Sequence, residues 1–582
     1  MPSSESAGPD YSFEPFLREL PDDWYAGDDL LRCLLARRIG DGDAGRSSGT
    51  AAKEDRDPAK EGRDPAAETG GAVAEAAERP PPAVDEELSR WGREAAGRLR
   101  ELAETSARPE NRPRLRRFDA HGRRVDEIVL PGSTREALDV VEGREGLGAV
   151  DDDPFVHYAK VYLYAQNGEG GVACSVACTD GLVRALEALG DRPEHRRAAE
   201  RVRGSEPGGV VHGAQFVTEI QGGSDVGANR TRAVRDGDAR RLYGQKWFCS
   251  NINADYYLVT ARPEEAPGEE PPVGLYLVPA RLEGERRRNG HTVDRLKEKL
   301  GTCELATAEA TFDGALAWPV GPEERGMANL LRHVLVPSRI GCVGFCASAL
   351  RRAERIARAY ASFRTTFGRP IDEYPQVDRT LEALSRERAR SLAALFRLLD
   401  WWEDARAGPA AESGAGAPDR DRRGAGESGS DPGDRDATGT GGEVSPALAF
   451  RVMLSLSKAV LTRRTTLLLR RAAMVLGGNG VVEDFSPLPR LLRDAAIMET
   501  WEGPPDVLLA QARRDLRRFG PDPEAFARSV AGERAGEAGA ALARALGEGD
   551  GPGAVFAFEE VAGRLVDGLG DRVLDECGAG PG

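Results

Sequence analysis

Apolar positions recur at helical spacing across residues 86–204, most clearly from Leu88 to Leu102 and from Val172 to Leu189. From Gly213 to Gly321 the period shortens. Arg241 to Cys249, Asp255 to Ala261, Val273 to Val278 and Ala306 to Phe312 read as short strands. Turn signals such as Asp236-Gly237-Asp238, the stretch from Glu264 to Pro272, and Asp313-Gly314 separate them. Helical spacing returns after Gly326. Ser338 to about Arg364 predicts one long helix, with Ser338 after Pro337 as its N-cap. Tyr374 to Trp402 predicts a second helix, and Pro446 to Leu476 a third that Gly477-Gly478 would stop. Pro504 and Pro505 suit the first turn of a fourth, where Asp506 complements the positive end of the helix dipole. The predicted order is helices, a β module, then helices.

Composition divides this pattern into domains. The chain has 582 residues, 40% of them hydrophobic, with 69 glycines and 37 prolines, which points to globular domains interrupted by flexible segments. Residues 41–85 and 408–442 consist mainly of small, charged and proline residues. Nothing there offsets the entropy of ordering, so both are expected to be disordered insertions. The expected scheme is an N-terminal arm (1–40), the first insertion, a helical domain (86–205), a central β domain (206–325), a helical domain (326–518) holding the second insertion, and an acidic C-terminal extension (519–582).

The net charge of −16 argues against generic attraction to nucleic acid or an anionic membrane. The eight cysteines show no metal spacing; Cys174/Cys178 and Cys342/Cys346 read as thiols packed between helices. The first residues lack a basic segment followed by an apolar one. No run approaches the roughly 20 apolar residues of a membrane span, so a cytoplasmic location is expected.

Three stretches could carry chemistry. Gln215 to Asp225 places Thr218, Gly222-Gly223 and Ser224-Asp225 in a tight loop, either an ordinary turn or a cradle of N–H groups and hydroxyls for a polar ligand. Lys246 to Asn251 is an aromatic strand ending in small polar residues, equally readable as core. Leu476 to Asp484 is a helix stop, followed by Pro489 to Asp494 and then Met498-Glu499-Thr500-Trp501-Glu502-Gly503-Pro504-Pro505. In that last stretch a lone carboxylate, Glu502, stands between an indole and a proline-stiffened turn. It either caps the next helix or serves as a base.

Taken in order, Thr218-Glu219, Gly223-Ser224-Asp225, Phe248-Cys249-Ser250-Asn251, Arg364-Thr365-Thr366-Phe367-Gly368, Gly477-Gly478-Asn479-Gly480 and Trp501-Glu502-Gly503 resemble the signatures of the acyl-CoA dehydrogenase superfamily, over roughly residues 150–515. The resemblance implies an α+β fold with an N-terminal helical domain, a central β-barrel and a C-terminal helical bundle. It also implies FAD as cofactor and assembly as a dimer or tetramer. Val217, Thr218, Gly223 and Ser224 would then contact flavin, and Phe248, Cys249 and Ser250 would line its ring near N5. Arg364 and Gly477, Gly478, Asn479 and Gly480 would hold the pyrophosphate and adenosine of an FAD bound mainly by a neighbouring subunit. Asp506 would lie near FAD phosphates. Glu502 matches the family's base, which removes the α-proton of an acyl thioester while flavin takes hydride from the β-carbon. Ser224, Arg339 and Gly503 would contact the acyl-CoA, and an electron-transfer flavoprotein or similar acceptor would reoxidise the cofactor.

Some relatives carry the base just before an arginine on the long helix. Here that position is Ser338, which cannot serve. The Gln221-Gly222-Gly223 run, Lys246-Trp247-Phe248, Arg295 to Gly301 and Trp318 look closest to the AidB-type branch, named for an alkylation-response flavoprotein. That branch raises an alternative: a protective flavoprotein with weak dehydrogenase activity and possible DNA binding. Arg513, Arg514, Arg517 and Arg518 are the only basic cluster near the acidic tail, so a DNA role is not favoured. Two departures stand out. The family's Glu-Gly-Thr or Glu-Gly-Ser is Glu502-Gly503-Pro504 here, which removes a hydroxyl and an N–H, and Asp506 replaces an asparagine.

Overall fold

The computed structural model of the chain describes residues 12–46, 79–149, 153–264, 272–285, 287–407, 444–547, 549 and 551–579. The insertion expected at 408–442 lies outside the described residues. So does most of the one expected at 41–85, whose edges meet helices Asp29–Arg46 and Pro82–Ala96.

Helical spacing from Leu88 to Leu102 becomes two helices, Pro82–Ala96 and Arg98–Ser106, broken at Gly97, which leaves helical geometry with φ −93° and ψ −104°. Leu88, Trp91, Ala95 and Leu99 fall on one face, and all are fully buried. Helices Pro154–Ala165 and Gly170–Leu189 complete this region beneath the central domain. The segment expected to be an arm belongs to the same core. Trp24, Tyr25, Leu31 and Leu35 are fully buried against Trp91 and its neighbours, and Tyr25 donates to Asp85 at 2.7 Å.

The central domain is a closed barrel. Strand Tyr256–Pro263 pairs with Gly274–Pro279, that strand with Thr307–Pro319, and Thr307–Pro319 with the long strand Ala239–Ser250. Ala239–Ser250 then pairs with Arg232–Asp236, which returns in parallel to Tyr256–Pro263 and shuts the ring. Gly213–Phe216 and His291–Leu296 are added at the sides. Side chains alternate across each strand, so Leu242, Tyr257, Val259, Tyr276, Ala310 and Phe312 fill the interior.

The C-terminal domain is a bundle of Val336–Phe363, Pro375–Ala407 and Pro446–Val475, joined by Leu488–Met498 and Pro505–Phe519. The long helix begins two residues before Ser338, inside an already helical path, so Ser338 is not its N-cap. The stretch 323–363 is apolar and long enough to cross a bilayer, but 72% of its most apolar window is buried within the protein. The acidic extension is folded. Helices Pro523–Ala531, Ala538–Gly547 and Pro552–Glu576 dock on the bundle. Their carboxylates face its arginines, as in Arg390–Asp571 at 2.7 Å and Arg464–Asp567 at 2.5 Å.

Candidate active site

A cavity of about 1240 Å³ lies where the barrel, the N-terminal helices and the bundle converge. Val217, Thr218, Gly223, Ser224, Phe248, Ser250, Arg339, Glu502 and Gly503 all line it, so residues nearly 290 positions apart in sequence share one wall.

Glu502 reaches it through an unusual turn. Helix Leu488–Met498 ends, the Thr500 and Trp501 N–H groups fold back on the Ile497 carbonyl, and Glu502 and Gly503 take φ values of +54° and +108°. A non-glycine residue in that region costs about 1–3 kcal/mol and persists only where its surroundings impose it. Here they do. Lys458, fully buried, donates to the carbonyls of Glu499 at 2.9 Å and Gly503 at 2.7 Å. Arg339 Nε donates to the Glu502 carbonyl at 3.0 Å, and Pro504-Pro505 start the next helix. Arg339 is thereby committed to holding the turn. The Glu502 carboxylate accepts one hydrogen bond, from Ser338 Oγ at 2.8 Å. Burial raises its pKa above the ordinary glutamate value, with the Ser338 bond and the Arg339 and Lys458 charges offsetting only part of that rise. The serine excluded as a base is the hydrogen-bond donor to Glu502.

The opposite wall is built by the barrel. Gly223 packs so tightly that a Cβ there would lie 2.5 Å from Thr218 Oγ1. Beneath the loop, Lys246 is fully buried and donates to Glu219 at 2.8 Å, to the Val217 carbonyl at 3.1 Å and to Thr260 at 3.1 Å. Burial alone would raise the Glu219 carboxyl. Lys246, Thr231 and the Arg230 N–H more than offset that and hold it at about 2. This pair fixes the loop from below; its two residues stood inside the quoted motifs, without a sign that they meet.

Strand alternation decides the next three residues. Phe248, half exposed, and Ser250 face the cavity, whereas Cys249 points into the barrel core, is fully buried and does not line the cavity. The placement of Cys249 along a flavin ring is therefore corrected, because neighbours on a strand face opposite sides. Lys297, Lys299 and Thr307 line the same wall; the two lysines stood in the Arg295-to-Gly301 stretch without a site role, and Thr307 only in a strand. The thiols of Cys174 and Cys178, 3.8 Å apart, and of Cys342 pack along the cavity too.

The remaining residues form a separate surface group. Asn479 donates to Tyr360 Oη at 3.2 Å, and one turn later the Arg364 N–H bonds the Tyr360 carbonyl at 2.8 Å. Neither Arg364, at the C-terminal end of the long helix, nor the Gly477, Gly478, Asn479 and Gly480 turn lines the cavity. Phe367 stands nearby, 95% exposed. Asp506 belongs to neither group and pairs with Arg463 at 2.5 Å.

Family models for the acyl-CoA dehydrogenase middle domain, the acyl-CoA dehydrogenase C-terminal domain and the AidB N-terminal domain match residues 214–315, 442–516 and 65–202. The chain belongs to the acyl-CoA dehydrogenase superfamily. Within it, the N-terminal match places the chain with the AidB-type branch. It is 31% identical to acyl-CoA dehydrogenase family member 11 of Caenorhabditis elegans over 443 residues, covering 73% of this chain and 65% of that protein. The AidB protein of Escherichia coli is 29% identical over 427 residues, 70% of each chain. Among solved structures, Bd2924 in its apo form superposes with a TM-score of 0.72 at 25% identity, covering 85% of this chain and 93% of that one. The nematode ACDH-11 in complex with C11-CoA gives 0.70 at 24% identity, covering 85% and 84%.

Proposed function

We propose that this protein is an FAD-dependent enzyme that oxidises the Cα–Cβ bond of an acyl-CoA thioester, with Glu502 as the proton-abstracting base. One observation carries the reading: a desolvated carboxylate on a constrained turn faces the hydroxyl-bearing edge of a closed barrel across a single cavity.

The residues fit the cofactor. The Gly223 position is too close to Thr218 for a side chain, leaving a hydroxyl-lined loop, and Phe248 is half exposed with the Lys297 ammonium 4.6 Å from its ring centroid. Val217, Thr218, Gly223, Ser224, Phe248 and Ser250 would hold the flavin ring. FAD, when bound, supplies the acceptor for hydride leaving the substrate's β-carbon. Glu502 removes the α-proton, and burial raises its basicity toward the working range. Ser338 aims the carboxylate, and Arg339 and Lys458 keep the turn from relaxing.

Arg364 and Gly477 to Gly480 do not line the cavity, which supports their acting on a cofactor held by a neighbouring copy. The substrate class is extended from the relative solved with C11-CoA, and electrons would leave through an electron-transfer flavoprotein or similar acceptor. Arg513 and Arg517 donate to the carbonyls of Ala545, Leu546 and Gly549, so the DNA-binding alternative gains no support from them.

The test is Glu502→Gln, which keeps shape and hydrogen bonding but cannot accept the proton. Flavin content should persist while dye reduction by acyl-CoA falls about 10²–10⁴-fold. Undiminished turnover would overturn the assignment.

A further inference from the structure

Lys299 lines the cavity and is not accounted for by the reaction above. Its ammonium donates to the Leu305 carbonyl at 2.9 Å and to Thr307 Oγ1 at 2.8 Å. No carboxylate lies within ion-pair distance of it among the described residues. Burial pushes the amine down to about 8, so it is still largely protonated at neutral pH. Thr307 is paired across the strands with Ser250, and the two hydroxyl oxygens lie 3.2 Å apart. Among the described residues Ser250 has no other polar side-chain partner, and Lys299, Thr307 and Ser250 all line the cavity.

Donor and acceptor counts fix the first bond of this chain and leave the second, between the two hydroxyls, open to run from Thr307 to Ser250. An ammonium has no lone pair, so Thr307 can only accept from Lys299. The Thr307 proton is then free to serve Ser250. Ser250, accepting from Thr307, keeps its own proton for a third partner, and the open side is the cavity. A cation at one end strengthens each bond along such a row.

We propose that Lys299 is a positioning residue which, through Thr307, makes the Ser250 hydroxyl a polarised hydrogen-bond donor toward the electron-accepting edge of the bound flavin. The inference rests on the flavin reading above. A donor backed by a positive charge binds the electron-richer reduced cofactor more tightly than the oxidised one, so the row raises the flavin's reduction potential.

The experiment measures the midpoint potential of the flavin-loaded protein by equilibration with reference dyes, alongside circular dichroism and thermal melting. Lys299→Met, Thr307→Val and Ser250→Ala should each lower the ratio of reduced to oxidised flavin affinity about tenfold, equivalent to about 30 mV for a two-electron couple. Lys299→Arg should restore most of the loss. The Lys299→Met/Thr307→Val double variant should lose no more than either single change, because both cut the same chain. Unchanged potentials in Lys299→Met and Thr307→Val, with flavin retained, would overturn the proposal. Should Lys299→Met not fold, Thr307→Val and Ser250→Ala decide it, since both leave the amine in place. A wild-type protein that takes up no flavin overturns the functional reading instead, and the proposal falls with it.

Discussion

At the scale of single residues, Glu502 gathers several otherwise unrelated constraints. It has a positive φ, one hydroxyl donor and two cations bonded to backbone around it. With Glu502 as the proposed base, its raised pKa means that activity should be lost as pH falls through that value. The acid limb of kcat/KM should therefore sit above the ordinary glutamate pKa of about 4.3. Ser338→Ala removes the donor that favours the charged form, so its acid limb should move further up in pH, read from the rate profile. An unmoved limb would detach Ser338 from the base. The position of Glu502 was legible because the Trp501-Glu502-Gly503 context is distinctive. Ser338 was legible only as a missing base, since sequence does not say which side chains meet across 164 residues. The fate of Cys249 could have been read by applying the two-residue strand period to Phe248 and Ser250.

At the scale of elements, the barrel wall depends on the buried Lys246–Glu219 pair. Lys246→Met leaves Glu219 charged and unpaired beneath the Thr218 loop, and breaking a buried pair costs about 3–5 kcal/mol. Chemical denaturation should show that loss. The folded Glu219 carboxyl titrates near 2, below its unfolded value of about 4.3. Its contribution is thus present above pH 4.3 and disappears as pH falls toward 2. Long, strongly periodic elements were legible: the helices at 338–364, 374–402 and 446–476 differ from the observed ones by a few residues at their ends. Arg232–Asp236, Gly213–Phe216 and His291–Leu296 were not, being four to six residues long and defined by their partners rather than their own pattern.

At the scale of the whole molecule, segments that looked peripheral hold the subunit together. Trp24 and Tyr25 belong to the N-terminal core, and the acidic extension completes the bundle through Leu565, Leu569 and ion pairs to Arg390 and Arg464. Composition alone marked the extension only as acidic. Its acids are matched by arginines on other helices, which only the fold brings near. Ending the chain after Phe519 should expose that face and give an aggregating product, read by size-exclusion chromatography; a monodisperse protein with native melting would contradict this. Phe367, almost wholly exposed beside Arg364, fits a contact with another copy. With the proposed dimer or tetramer and its flavin, Phe367→Asp should shift the species seen by size exclusion toward smaller ones and reduce flavin content, while the melting of the single subunit stays nearly unchanged.

The proline pair at the start of helix Pro505–Phe519 has one more consequence. Neither residue carries an amide hydrogen, so the helix start lacks two of the donors that usually draw an anion to such a place. Their rings also fix φ at two successive positions directly after the left-handed Glu502-Gly503 step. The backbone that carries the Glu502 carboxylate is therefore held in place before any ligand arrives. A mobile glutamate would have to be ordered at every binding event. Here that loss of freedom is met once, during folding, and the affinity of each later encounter is left undiminished by it.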